Sequence, residues 1–170
     1  MSEVIWPESY LPGTTDYFVS NETVVASLSA AHAWPFLADT ARWPESSAEI
    51  WQIRFHDGGG SELRFGTRFQ FVVGGALVQA EIVEYATPTD GGPGRLAWHG
   101  WVENDGRKIV DAHCGWVIED LPDARVRVLW QESLIGPAAR ELARLRPRPA
   151  LNSHQDWVEG IAAAALAARA

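Results

Sequence analysis

From about residue 48 to residue 134, apolar and polar positions alternate two by two. Trp51, Ile53 and Phe55 keep step, as do Phe69, Phe71 and Val73, then Val78, Ala80 and Ile82. Leu96 matches Trp98, Cys114 matches Trp116 and Ile118, and Val126 matches Val128, Trp130 and Glu132. Residues two apart in an extended chain share a face. The alternation therefore predicts strands over 48–56, 67–73, 76–86, 95–102, 111–119 and 124–134, each aiming its apolar set at one interior. Between them lie Asp57 to Gly60, Gly74-Gly75, Pro88 to Gly94, Asn104 to Gly106 and Pro122-Asp123, all turn chemistry. Gly74-Gly75 is a two-residue hairpin signal, and consecutive hairpins make an antiparallel meander.

The two ends follow other rules. Residues 1–16 hold Pro7, Pro12 and Gly13 without periodicity and predict an extended arm, with Trp6 and Tyr10 pinned onto the body. A β-branched run, Thr23 to Val25, marks a first strand over 17–27. Ser29 is placed to cap a helix ending near Asp39. Pro35 inside it implies a kink or a later start, and a second helical turn is expected to stop at Pro44. Gly136-Pro137 opens a helix, Arg146 to Pro149 interrupts it, and Asn152 with Gln155 restarts it as a capping box. Trp157, Ile161 and Ala165 then form an apolar stripe at helical spacing.

Composition narrows the function. The chain has 170 residues, one cysteine and a formal charge of −8. That acidity argues against a nucleic-acid partner, which requires a basic footprint. A lone Cys114 forms no internal disulfide and fits a reducing compartment. No run reaches the roughly 18 apolar residues of a membrane span, and Met1 to Tyr10 has none of the apolar core of a signal peptide; a cytoplasmic protein is expected. Histidines at 32, 56, 99, 113 and 154 show no paired spacing and no metal-binding motif, so neither metal nor other cofactor is expected. The glycines at 58–60 lack the residues of a phosphate loop and read as a turn. His99 and His113 take the outward parity. Cys114 reads as a small buried residue, not one paired with His113 for nucleophilic chemistry.

Nine tryptophans are the strongest chemical signal, and they bear on a family resemblance. The stretch AWPFLADTARWPE (Ala33 to Glu45) resembles the helix–turn–tryptophan-proline segment of the START-like, helix-grip superfamily. The bacterial polyketide cyclase/dehydrase-like proteins are its most similar branch. GTRFQFVVGG (Gly66 to Gly75), AEIVEYATP (Ala80 to Pro88), RLAWHG (Arg95 to Gly100) and WVIEDLPDARVRVLWQESLIG (Trp116 to Gly136) follow in the same order. The resemblance spans about residues 17–168, read as one domain behind the arm. It implies an α+β helix-grip fold: a seven-stranded antiparallel sheet wrapped around a long C-terminal helix, with two short helices after the first strand. It also implies a deep apolar cavity, and ligands such as lipids, polyketides or other polycyclic and aromatic metabolites. The superfamily has no universal catalytic residue to carry over.

Within that frame the ligand-binding candidates are the in-phase side chains. These are Trp51, Ile53 and Phe55 on one strand, Phe69 and Phe71 on the next, and Ile82 and Trp98 beyond. Trp116, Ile118, Val128 and Trp130 complete the wall, with Trp157 and Ile161 as its roof. The plainer reading is that all of these simply fill a core. Glu132 shares the inward parity; a carboxyl among indoles holds its proton more tightly and serves as general acid or base, or else it pairs with an arginine. Three functions stay open: a carrier of a hydrophobic small molecule, a cyclase or dehydratase using Glu132, and an interaction module working from the outer sheet face. Arg140, Arg144, Arg146 and Arg148 read as a solvated helix face or as a guide for an acidic ligand. The arm would allow a homodimer.

Overall fold

A computed structural model describes residues 1–89, 92–146 and 148–169. Seven strands form one antiparallel sheet: β1 (Tyr17–Ala26), β2 (Ile50–Phe55), β3 (Arg68–Val73), β4 (Ala76–Ala86), β5 (Gly94–Asn104), β6 (Arg107–Leu121) and β7 (Arg125–Ile135). Their order across the sheet is β1-β7-β6-β5-β4-β3-β2. β2 to β7 are thus a meander, and β1 closes on β7. Helices α1 (Ala30–Ala38) and α2 (Trp43–Ser46) join β1 to β2, and α3 (Pro137–Arg144) and α4 (Pro149–Ala167) end the chain. The core lies between the inner sheet face and α4, whose Trp157, Val158, Ile161, Ala162 and Ala165 are all buried.

Local chemistry explains the boundaries. Gly74 and Gly75 turn the β3–β4 hairpin with φ of 56° and 81°, the left-handed conformation such a turn requires. Ser29 caps α1 by accepting from the His32 N–H, and the Ala30 N–H donates to Asp120 at 2.7 Å. These two anchors start the helix at Ala30 despite Pro35, so the later start expected from Pro35 does not occur. Pro44 does not stop the segment either. It sits in the first turn of α2, where no helical N–H is lost. Likewise Pro149, not Asn152, opens α4; a proline with its preset φ suits the first helical position. Asn152 is a mid-turn residue near the cavity, and Gln155 bonds to Asn21 at 2.9 Å and ties α4 to β1. Pro147 of the expected break, and Asp90 and Gly91 of the Pro88–Gly94 turn, lie outside the described residues. Gly160 lets α4 meet α2: a Cβ there would lie 2.0 Å from the Ser46 carbonyl.

One strand departs from simple alternation. Gln52 has a φ of 54°, and the β2–β3 register shifts between Trp51 and Arg54. This bulge sets two residues, Gln52 and Ile53, against Phe71 alone and reverses the parity. Ile50 is buried and Ile53 and Phe55 half-buried, whereas Trp51 is 52% exposed. The expectation that Trp51 faces the interior is therefore corrected.

Residues 2–10 lie across the outer face of the sheet. Val4 packs on Val117 and Leu129, and Trp6 stands edge-on to His113, with centroids 5.4 Å apart. Ser2 donates to Glu119 and accepts from Arg127 at 2.9 Å, and the Tyr10 hydroxyl donates to Asp111 at 2.8 Å. Gly115 makes room, since a Cβ there would lie 2.3 Å from Val4 Cγ1. His113 faces outward as its parity implies but is buried beneath this arm. Burial lowers its pKa to about 4, and the charge of nearby His99 adds to the effect. Among the described residues no helix is long and apolar enough to cross a membrane.

Candidate functional site

A cavity of about 600 Å³ opens between the inner sheet face and the two C-terminal helices. Its mouth is framed by Gly74 of the β3–β4 turn, Trp101 and Val102 on β5, and Pro149, Ala150, Asn152 and Ser153 at the start of α4. Deeper in, Phe71, Trp98, Trp130 and Trp157 form apolar walls. Ser153 donates to Glu49 at 2.6 Å and fastens the helix start at the rim.

At the floor, cross-strand register places a polar row. Trp98 pairs with Cys114, and Cys114 pairs with Glu132. Directly opposed residues on one face have adjacent side chains, and the contacts follow. The Cys114 thiol donates to Glu132 Oε1 at 2.9 Å, while His154, from α4, brings Nε2 to 3.4 Å from Glu132 Oε2. The His154 ring stacks on Trp130 with centroids 3.5 Å apart. Burial pushes the Glu132 carboxyl up to about 7, partly offset by the Cys114 hydrogen bond. Burial also lowers His154 to about 3. Desolvation of both partners thus favours a neutral pair over an ion pair. The same burial, with the Glu132 charge, raises the Cys114 thiol well above its usual range. It stays protonated, which argues against a thiolate nucleophile.

The predicted residues separate into three groups. Phe71, Trp98, Trp130, Trp157 and Glu132 line the cavity. Phe69, Ile82, Trp116, Ile118, Val128 and Ile161 are buried in the packed core behind that wall. Ile53 and Phe55 sit with exposed Trp51 beside a shallow depression bordered by Gly58 to Gly60, away from the cavity. Trp116 stacks on Trp130 at 4.7 Å, and Trp157 meets Trp43, Trp116 and Trp130 edge-on at 5.0, 5.1 and 5.0 Å. Sequence reasoning missed Trp43, fully buried with its indole N–H on the Leu37 carbonyl at 2.9 Å. It also missed His154 as Glu132's neighbour. Its helical spacing of three from Trp157 was the available signal. Nor did Cys114 stand out, although it shares the parity of Trp116.

The arginine cluster does not reach the cavity wall. Arg140 pairs with Asp16 at 2.9 Å and Arg144 with Glu141 at 3.0 Å, while Arg146 donates to the carbonyls of Ala143 and Leu145. No group of metal-ligating side chains occurs among the described residues.

A seven-stranded antiparallel sheet gripping a C-terminal helix, with a cavity between them, is the helix-grip fold. No protein-family model matches the chain, and no curated protein does. Solved structures do. A hypothetical protein of Helicobacter pylori is 36% identical, with 96% of each chain covered and a TM-score of 0.90. The di-domain ARO/CYC BexL of the BE-7585A biosynthetic pathway is 13% identical over 85% of this chain and 45% of its own, with a TM-score of 0.59. A Thalictrum flavum norcoclaurine synthase mutant, in complex with a transition-state analogue, is 12% identical over 91% and 96%, with a TM-score of 0.57. The chain belongs to the family of the Helicobacter pylori protein, and it shares its fold with the cyclase and the synthase.

Proposed function

We propose that the protein binds a hydrophobic small molecule in the cavity between the sheet and α4. The observation that carries this is a space of about 600 Å³ walled by Phe71, Trp98, Trp130 and Trp157, with polar groups only at floor and rim. Small-molecule sites commonly have this form and size. Burying about 300 Å² of apolar ligand surface gains roughly 7.5 kcal/mol before association costs; micromolar binding takes about 8.2 kcal/mol net, so a larger buried area or polar contacts of the guest must supply the remainder. Native mass spectrometry of gently purified protein is the test, with quenching of indole fluorescence by a panel of apolar probes. A bound mass or saturable quenching is expected; neither appearing would overturn the reading.

One observation favours a second reading, a cyclase or dehydratase acting on a polyketide-like chain in the same space. Glu132 lies at the floor with a pKa near 7, the range in which a carboxyl both takes and returns a proton. BexL, similar in fold, is an ARO/CYC protein. Replacing Glu132 with Gln separates the two: an enzyme loses turnover while substrate still binds, whereas a carrier has no turnover to lose.

A further inference from the structure

The charged groups around the cavity share one sign. Glu132 stands at the floor, and Glu49 and Asp156 stand at the rim. His154, the other titratable ring on the wall, is kept neutral by burial. Among the described residues no lysine or arginine lines the cavity, and Arg140 and Arg144 are engaged elsewhere. Glu132 faces Cys114 from β6 and His154 from α4, and its side chain is 16% exposed while lying on the cavity wall. It therefore presents an acceptor to a guest, with no cation of the protein's own to neutralise it. The same cavity is lined by Trp98 and Trp157, and indole rings attract positive charge; Trp130 is stacked between Trp116 and His154 and does not contribute a face. Above about pH 7, where Glu132 ionises, a carboxylic acid entering here meets like charge at rim and floor in a poorly solvated space, where such repulsion is strongest.

Resting on the binding function proposed above, we propose that the guest is an apolar base, an aromatic or alicyclic amine whose protonated nitrogen sits on Glu132, and that isosteric acids are rejected. An ammonium ion favours the ionised form of Glu132, so binding near neutral pH releases a proton from this residue. Amine affinity then rises with pH between about 5.5 and 8, while that of a neutral analogue does not.

Three probes sharing one ring system test this: naphthylethylamine, naphthylethanol and naphthylacetic acid, titrated calorimetrically into the full-length protein at about pH 8. The expected order of affinity is amine, alcohol, acid, with the amine at least about tenfold tighter than the acid. In Glu132→Gln the amine and alcohol should converge to within about threefold while alcohol binding persists. If the alcohol binds and the acid equals or exceeds the amine, the charge preference is overturned and the binding function stands. If none of the three saturates, both fall together.

Discussion

Replacing Glu132 with Gln should make the protein more stable at alkaline pH. Gln keeps the shape and both contacts: it accepts from the Cys114 thiol and donates to His154 Nε2, while removing the buried charge. The folded carboxyl titrates at about 7 and the unfolded one at an ordinary 4.5. A raised folded pKa means that the native state binds the proton more tightly. The associated stability is complete below about pH 4.5 and is lost as pH rises through 7. The interval amounts to about 3 kcal/mol at about 1.4 kcal/mol per pH unit, and about 2.5 kcal/mol of it falls between pH 5 and pH 8. His113 and His154, depressed to about 4 and about 3, act in the opposite direction. They lose their stabilisation as pH falls below about 6.5; His113, on the opposite sheet face, is common to both proteins and drops out of the comparison, while His154, in contact with residue 132, is followed by NMR titration of its ring in both. Denaturant unfolding of wild type and variant at both pH values therefore isolates Glu132. From pH 5 to pH 8 the variant should gain about 2.5 kcal/mol on the wild type, or roughly 5–10 °C in Tm for a chain of this size. A difference that does not change with pH would refute a proton-holding carboxyl at the cavity floor.

Further expectations concern the cavity and the arm. Ala112→Leu places bulk on the cavity wall; probe affinity should fall at least about tenfold while Tm holds or rises, because the new side chain occupies void and not packed core. Unchanged affinity would move the binding site elsewhere. Gly115→Ala directs a methyl group to within 2.3 Å of Val4 Cγ1. It should cost about 1–3 kcal/mol and hasten proteolysis within residues 1–12, and equal cleavage rates would show that the arm is not seated there. Deleting residues 1–12 should return the His113 pKa from about 4 toward 6.5, followed by NMR titration of its ring protons. A value that stays low would place the cause of desolvation within the sheet.

Alternation along the chain was enough to place the strands, because turns such as Gly74-Gly75 and Asp105-Gly106 punctuate it with residues suited to left-handed backbone. It also oriented Glu132, since β7 runs without a bulge from Arg125 to Ile135 opposite β6. Parity misled at Trp51, where a left-handed Gln52 adds a residue that no local pattern announces. The helix boundaries at Pro44 and Pro149 were misjudged for one reason: a proline ends a helix or begins one depending on neighbours outside its own segment. Which indoles touch the cavity, and which fill the core behind it, depends on α4's position. That position is set by long-range contacts, such as Gly160 against Ser46 and Asn21 to Leu151. His154 escaped notice because its partner lies on a strand about twenty residues earlier.

The strap formed by residues 2–10 makes the chamber mechanically lopsided. Strands β6 and β7 are held between α4 on one side and Val4, Trp6 and Tyr10 on the other, so that wall is clamped twice. The opposite wall, the β3–β4 hairpin, ends in two glycines and carries Leu77 in solvent. Guests of different girth would then be accommodated by yielding on the hairpin side alone, and backbone amide exchange should slow there on loading, with β6 already too well protected to register the event.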